Sequence, residues 1–109
     1  MAFNSKGFAP RQFQGLVDVL FGSATVNPGD TAAGADAQVA VTVTGAAVGD
    51  AVLFFPGVAI TSGVTVQATV SAANTVTLTF DNETADHVDL ASSTWRFLLL
   101  RPKGDFAKI

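Results

Sequence analysis

Apolar and polar residues alternate through most of the chain between residues 23 and 101. The clearest runs are 39–44, 64–71 and 75–80, where valine, leucine or phenylalanine alternates mainly with threonine. Because successive side chains of a strand point to opposite faces, this period of two predicts half-buried β-strands. The short link 72–74 between the last two runs predicts an antiparallel hairpin. No segment of this region has the period of 3.6 residues typical of an amphipathic helix.

Two further runs are apolar on both faces. Residues 51–55 are apolar throughout and end at Pro56-Gly57, and residues 94–101 form the last predicted strand, which Pro102 ends. In the last strand one face holds Trp95, Phe97 and Leu99, and the other holds Leu98 and Leu100. Burial of both faces fits a central strand inside a two-layer sandwich. It also fits a strand whose second face is covered by another subunit, and the pattern leaves both interpretations open.

The spacing of these strands predicts the fold class. Strands recur every 10 to 13 residues with turn signals between them, for example the Pro-Gly pair of residues 27–30, which favours a type II turn. This arrangement predicts an all-β protein, either an antiparallel β-sandwich or a jelly-roll-like barrel. Only five or six strands are clear, so the eight of a jelly roll require further strands within 22–37 or 57–63. Residues 81–93 are predicted to form a polar loop.

The first 22 residues follow a different pattern. Phe3, Phe8 and Phe13 recur every five residues, which fits neither a helix nor a strand. We therefore expect residues 1–22 to form an extended arm that places one aromatic anchor at a time on another polypeptide. The alternatives are an arm that packs back on its own domain and a short helix around residues 12–21.

The predicted organisation is therefore an arm, a β-sandwich domain over residues 23–101 and a tail over residues 102–109. The formal charge also differs between regions of the chain: it is +1 over residues 1–22, −7 over 23–95 and +3 over 96–109. Because the acidic body would repel phosphates, we expect no nucleic-acid partner. The basic ends favour contact with an acidic neighbour, and Arg11, Arg96, Arg101 and Lys103 are the candidates for polar docking.

Composition points to association with other proteins. Hydrophobic residues make up 49% of the chain and charged residues only 14%. So few charges are typical of a surface that is partly covered, which favours a homo-oligomer such as a dimer or trimer. The apolar stretch 51–60 is interrupted and too short for a spanning helix, so no membrane partner is expected. The first six residues do not resemble a signal peptide, which predicts synthesis in a cytoplasm.

The residues that could act in catalysis or bind a metal do not form a catalytic pattern. His87 is the only histidine and lies in the acidic segment 81–89, near Ser92 and Ser93, without the glycines of a nucleophile elbow. A calcium site from the acidic side chains of this segment lacks the spacing of known calcium loops, and a solvated acidic loop is the simpler interpretation. The glycosylation sequon at Asn82 is expected to be accidental. There is no cysteine. We therefore expect no enzyme activity, no metal and no cofactor.

Three segments, 49–52, 66–82 and 89–97, resemble small capsid decoration (cement) proteins of tailed bacteriophages. The resemblance implies a jelly-roll-like domain on the outer capsid surface of the virion that binds the major capsid protein and bridges its subunits. Under this interpretation Phe3, Phe8 and Phe13 anchor the arm. The alternatives are a structural component of the phage tail, fibre or baseplate and a β-sandwich recognition module.

Overall fold

The computed structural model describes residues 16–103 and is nearly all β. Its strands are β1 (Val17–Val26), β2 (Gly29–Thr31), β3 (Asp36–Thr42), β4 (Ala51–Phe55), β5 (Val64–Ala72), β6 (Thr75–Asn82), β7 (Val88–Leu90) and β8 (Ser93–Pro102). The predicted all-β class is confirmed. Within the described residues, no helix has the length and apolar character needed to cross a membrane.

The strands form three antiparallel sheets. β8 lies at the centre of the first, in the order β1-β8-β4, and β6 at the centre of the second, in the order β3-β6-β5. β2 and β7 form a two-stranded sheet. The predicted hairpin of β5 and β6 is confirmed, and its turn places Asn74 at φ 62°. Asparagine tolerates this left-handed conformation, and its Oδ1 accepts a hydrogen bond from the amide of Gly45 at 2.7 Å.

The two three-stranded sheets share one core. The alternation predicted for β6 is confirmed, since Val76, Leu78 and Phe80 are buried while the threonines between them are only half-buried. Trp95 of β8 is fully buried, with the ring of Phe54 stacked at 5.8 Å and the ring of Phe80 edge-on at 5.6 Å. Its indole nitrogen donates a hydrogen bond to Ser93 Oγ at 3.0 Å. β8 is thus the central strand of its sheet, with Trp95, Phe97 and Leu99 in the core and Leu98 and Leu100 half-buried on the other face.

The structure corrects the extent of the predicted arm. Residues 17–22 belong to β1 and pair with β8 from Val17 opposite Pro102 to Gly22 opposite Phe97. The alternative of a short helix around residues 12–21 is wrong from Val17 onward for the same reason, and residues 12–15 lie outside the described residues. Gly22 faces inward, where an added Cβ would lie 2.7 Å from Val43 Cγ1, so the small residue lets β1 pack on the core. Phe3, Phe8, Arg11 and Phe13 lie outside the described residues, and their role as anchors stays a prediction.

Two short strands complete the fold where the sequence pattern is weak. β2 and β7 pair in register over three residues each, from Gly29 opposite Leu90 to Thr31 opposite Val88. Gly29 has φ 74°, as the third position of the predicted type II turn requires. The prediction of a polar loop over residues 81–93 is wrong in part, because this range contains the end of β6, all of β7 and the start of β8. No strand forms within residues 57–63.

Candidate docking surface

The outer face of the β1-β8-β4 sheet carries side chains of three strands in register. Leu98 of β8 lies opposite Phe21 of β1 on one side and Leu53 of β4 on the other. Two residues along, Leu100 lies opposite Val19 of β1. Since paired residues share a face and alternate residues return to it, all these side chains point away from the core. Phe55 joins them at the end of β4. We call this set the apolar outer face: Val19, Phe21, Leu53, Phe55, Leu98 and Leu100.

The apolar outer face is open to solvent. Phe21 is 77% exposed, Phe55 50%, Leu53 49% and Val19 40%. A contiguous apolar patch of this kind on a small protein, with aromatic residues in it, is typical of a protein–protein contact. The outer face of the other large sheet differs completely, since Thr75, Thr77 and Thr79 of β6 lie there between the buried core residues. The molecule therefore has one apolar and one hydroxyl-rich sheet surface.

A cleft of about 560 Å³ crosses the apolar outer face, and we call it the Phe21–Phe55 cleft. The two phenylalanines line its sides, and the other lining residues are Gly22, Ser23, Arg96, Phe97 and Leu98. Arg96 is exposed and lies opposite both Ser23 and Phe55 in the sheet register. Among residues 16–103, Arg96 forms no salt bridge. The structure thus places one predicted docking cation inside a mainly apolar cleft.

The structure gives Arg101 a partner within its own chain. Its Nε and Nη2 donate hydrogen bonds of 2.7 Å each to the two carboxylate oxygens of Asp50, and Nη2 also donates to the carbonyl of Gly45 at 2.8 Å. The Asp50 side chain is only 2% exposed. The hydrogen bond from Arg101 is the main cause that lowers the pKa of Asp50, and the same bond raises the pKa of Arg101. This guanidinium joins β8 to the loop before β4.

Lys103 lies at the other end of β8 from Arg96. Its Nζ is 3.1 Å from Asp18 Oδ1, with both side chains largely exposed, and its amide donates to the carbonyl of Leu16 at 2.8 Å. Exposed pairs of this kind contribute little to stability. The three cations that the sequence proposes on β8 and just after it are therefore not brought together, and only Arg96 lies on the apolar outer face.

The acidic segment and His87 do not assemble a catalytic or metal centre in residues 16–103. His87 Nδ1 is 3.2 Å from Asp30 Oδ2 on the surface, whereas Ser93 Oγ accepts its hydrogen bond from Trp95. No three metal-ligating side chains of the described part come together. Asn82 of the sequon is 1% exposed, and its Nδ2 donates to backbone carbonyls. That nitrogen is not accessible for glycan attachment.

Sequence reasoning missed the aromatic pair of the cleft. Phe55 belongs to a run recognised as apolar on both faces, and that signal points to a covered outer surface. Phe21 was assigned to the arm, although Val17, Val19 and Phe21 already alternate in the way a strand requires. The sequence does not show how β1 and β4 pair with β8, and this register places both rings beside Arg96.

Compared with known proteins, this chain matches no protein-family model, no curated protein and no solved structure.

Proposed function

We propose that this chain is a virion structural protein, a capsid decoration protein that attaches to the outer shell and stabilises it by bridging subunits of the major capsid protein. The apolar outer face is the observation that supports attachment to other polypeptides. The resemblance of three segments to decoration proteins supports the shell as the site of attachment. In this proposal the protein carries out no catalysis and needs no cofactor.

The energetics of the apolar outer face favour a covered state. Burial of one phenylalanine side chain is worth about 1.5–3 kcal/mol before the cost of ordering. Phe21 and Phe55 offer most of that gain, because both are at least half exposed in the chain alone. The low share of charged residues acts in the same direction. Contact with a large assembly provides this burial in many copies at once.

The strand pairing supports a jelly-roll-like architecture in part. β1 pairs with β8, β2 with β7 and β3 with β6, so the chain folds back on itself in nested antiparallel pairs. Nesting of this kind is what two Greek keys produce in a jelly roll. β4 departs from the nesting because it pairs with β8 instead of β5. We propose a β-sandwich of modified jelly-roll type.

The proposed mechanism is mechanical. Residues 1–15 attach to the shell through Phe3, Phe8 and Phe13, and the β-domain links neighbouring subunits. Each contact is weak, but many copies act on one closed surface, and the linkage raises the effective concentration of every further contact. The shell then resists internal pressure because opening it requires many contacts to break together.

Sedimentation with isolated virus particles tests the proposal. The protein is mixed with expanded capsids that lack it and, separately, with isolated tails. We expect it to pellet with capsids. Deletion of residues 1–14 should abolish binding while the β-rich circular dichroism spectrum is unchanged, and Val19→Ser with Leu53→Ser, which lie on the apolar outer face beside the Phe21–Phe55 cleft, should weaken binding at least about tenfold.

The matched control is Thr79→Ala on the outer face of the β3-β6-β5 sheet, which should bind like the wild type. Binding to tails instead of capsids would assign the chain to the tail, fibre or baseplate. Capsid binding that is unchanged in both the truncated protein and the double variant would contradict the proposed docking surfaces.

A further inference from the structure

The width and polarity of the Phe21–Phe55 cleft indicate which kind of polypeptide segment can bind in it. β1 and β4 flank β8 at one strand spacing of about 4.8 Å each, so the backbones that carry the two phenylalanines are about 10 Å apart. This width accommodates one extended segment lying over β8. The cleft is mainly apolar, its polar side chains being the exposed guanidinium of Arg96 and the hydroxyl of Ser23. A complementary segment therefore carries a large apolar side chain next to a carboxylate.

The two segments outside residues 16–103 differ in how well they match this cleft. Residues 1–15 contain Lys6 and Arg11 and no acidic residue, so they would bring positive charge to Arg96. Residues 104–109, with the sequence Gly-Asp-Phe-Ala-Lys-Ile, place Asp105 directly before Phe106, and the basic Lys108 follows three residues after Asp105. Both segments carry phenylalanine, but only the second has a carboxylate next to it, so charge complementarity at Arg96 favours the second segment.

Chain geometry excludes the cleft of the same copy. Arg96 and Lys103 are seven residues apart along β8 and its extension, a distance of about 23 Å. Asp105 is two residues beyond Lys103, which allows at most about 7 Å of extended chain. The remaining gap of about 16 Å is too long for the two side chains to bridge. Asp105 can reach Arg96 only in a second copy.

We infer that residues 104–109 of one copy bind in the Phe21–Phe55 cleft of a second copy, with Asp105 paired to Arg96 and Phe106 between the two phenylalanines. The exchange is reciprocal, so each dimer contains two such contacts. This inference goes beyond the proposed function and does not require attachment to a virion. In the dimer residues 104–109 cover Phe21 and Phe55, and Val19, Leu53 and Leu100 of the apolar outer face remain for contact with the shell.

The buried area is consistent with a reversible dimer. A phenylalanine side chain buries about 150–250 Å² when fully covered. The inserted Phe106 and the cleft residues Phe21 and Phe55 contribute from both sides of each contact, and the exchange doubles the contribution. The total reaches about 1,000 Å², the lower limit for a specific interface. We therefore expect a dimer that dissociates on dilution.

Charge reversal at the two paired positions tests the inference in the full-length chain. Arg96→Asp sets a carboxylate of the cleft against Asp105, and Asp105→Arg sets a second guanidinium against Arg96. Each variant alone should associate at least about tenfold more weakly than the wild type in sedimentation equilibrium. An equimolar mixture of the two should recover the association, because each tail then meets a cleft of opposite charge.

Arg11→Asp is the matched control, since it reverses the same type of residue in a segment that the inference places outside the cleft. It should associate like the wild type. The inference is overturned if the wild type is monomeric at every concentration, if mixing the two variants restores nothing, or if Arg11→Asp abolishes association. Phe106→Ala should weaken association as well, and an unchanged dimer would exclude Phe106 from the contact.

Capsid sedimentation of the same variants separates this inference from the proposed function. Dimers that do not bind capsids would contradict the proposed function and leave the tail exchange intact. Capsid binding by a protein that is monomeric at every concentration would contradict the tail exchange alone.

Discussion

Asn82 holds together one end of the fold through its buried amide. Nδ2 donates to the carbonyls of Thr31 at 3.0 Å, Ala32 at 3.2 Å and Asp86 at 2.9 Å. Oδ1 accepts from the amide and hydroxyl of Thr84 at 2.9 and 2.7 Å. One side chain thus joins the end of β6 to the end of β2 and to the loop before β7. A buried polar group with this many partners is costly to remove.

We predict that Asn82→Ala lowers the free energy of unfolding by at least about 2 kcal/mol, because several buried backbone groups lose their partner. Chemical denaturation measures the change. Ser71→Ala is a useful comparison, since Ser71 is exposed and its hydroxyl makes one hydrogen bond, with Thr77 Oγ1 at 2.7 Å. A loss at Asn82 no larger than that at Ser71 would contradict the role of this amide.

Asp50 gives stability a defined dependence on pH. Its carboxylate accepts two hydrogen bonds from Arg101 and one from the amide of Ala47 at 3.0 Å. These bonds hold its pKa below the ordinary value of 3.8. The folded state therefore favours the ionised form. The resulting stability is present above pH 3.8 and is lost as pH falls through the lower pKa of the folded state.

We predict that Asp50→Ala costs about 1–3 kcal/mol of unfolding free energy near neutral pH. The difference from the wild type should shrink as the pH falls below 3.8. Urea denaturation over a pH series measures both effects. Asp18→Ala is the control, since its exposed pair with Lys103 should contribute less than about 1 kcal/mol. If Asp50→Ala lowers the free energy of unfolding by the same amount at low and neutral pH, the carboxylate charge is not the cause of the stabilisation.

At the scale of elements, β6 and β3 bring two like charges together. Asp81 of β6 lies directly opposite Asp36 of β3 in the register. Paired residues on one sheet face have Cβ atoms about 4.5–5.5 Å apart, so the carboxylates repel each other. The pair lies at the end of the strands near Asn82, where Asp81 continues the row of Thr75, Thr77 and Thr79 on the outer face of β6. The sheet tolerates the repulsion because the core side of both strands is well packed.

We predict that Asp81→Asn raises the free energy of unfolding by about 0.2–1 kcal/mol at low ionic strength. The gain should fade with added salt, because screening removes the repulsion in the wild type. Thermal unfolding at two salt concentrations measures this. Asp86→Asn is the control in a loop without an opposite carboxylate. An increase that is independent of salt would point to a cause other than charge.

The sequence pattern predicted the elements with strict alternation and missed those without it. β5 and β6 follow their predicted ranges closely, since valine, leucine and phenylalanine mark one face of each. β1 was missed because the alternation of Val17, Val19 and Phe21 does not continue through residues 22–25, where no large apolar side chain marks a face. β2 and β7 have only three residues each, too few for a period to show, and they exist because the rest of the chain brings them together.

At the scale of the whole molecule, phenylalanines on the two sides of the β1-β8-β4 sheet have different roles. Phe97 is 1% exposed and contributes to the core, whereas Phe21 is 77% exposed on the apolar outer face. The two residues occupy neighbouring rows, since Phe97 pairs with Gly22. Neighbouring rows of the sheet, one residue apart along each strand, therefore face the core and the apolar outer face.

We predict that Phe97→Ala costs about 3–5 kcal/mol of unfolding free energy through the cavity it leaves. Phe21→Ser should change the free energy of unfolding of the monomer by no more than about 0.5 kcal/mol, because this exposed ring makes few contacts within its own chain. Denaturation at low protein concentration measures both variants. A large loss of monomer stability for Phe21→Ser would mean that this ring packs within its own chain.

The candidate site could be predicted only in part. The sequence pointed to Arg96 as a docking cation and to unusual apolar content on β4 and β8. It also proposed Arg101 and Lys103, which the fold pairs with Asp50 and Asp18. Long-range ion pairs such as these, between residues 51 and 85 positions apart, leave no local signal in the sequence. Phe21 and Phe55 joined the site only through the register of β1 and β4 with β8.

By itself the sequence determined the all-β class, the β5–β6 hairpin and the inward residues of β6, because strand alternation and turn chemistry are local properties. Tertiary structure alone decided that residues 17–22 complete a sheet, that Arg101 is held by Asp50, and that Phe21 and Phe55 flank Arg96 in one cleft. These outcomes depend on pairing between distant segments. The free energy of such pairing comes from the shared core and cannot be assigned to any single stretch of chain.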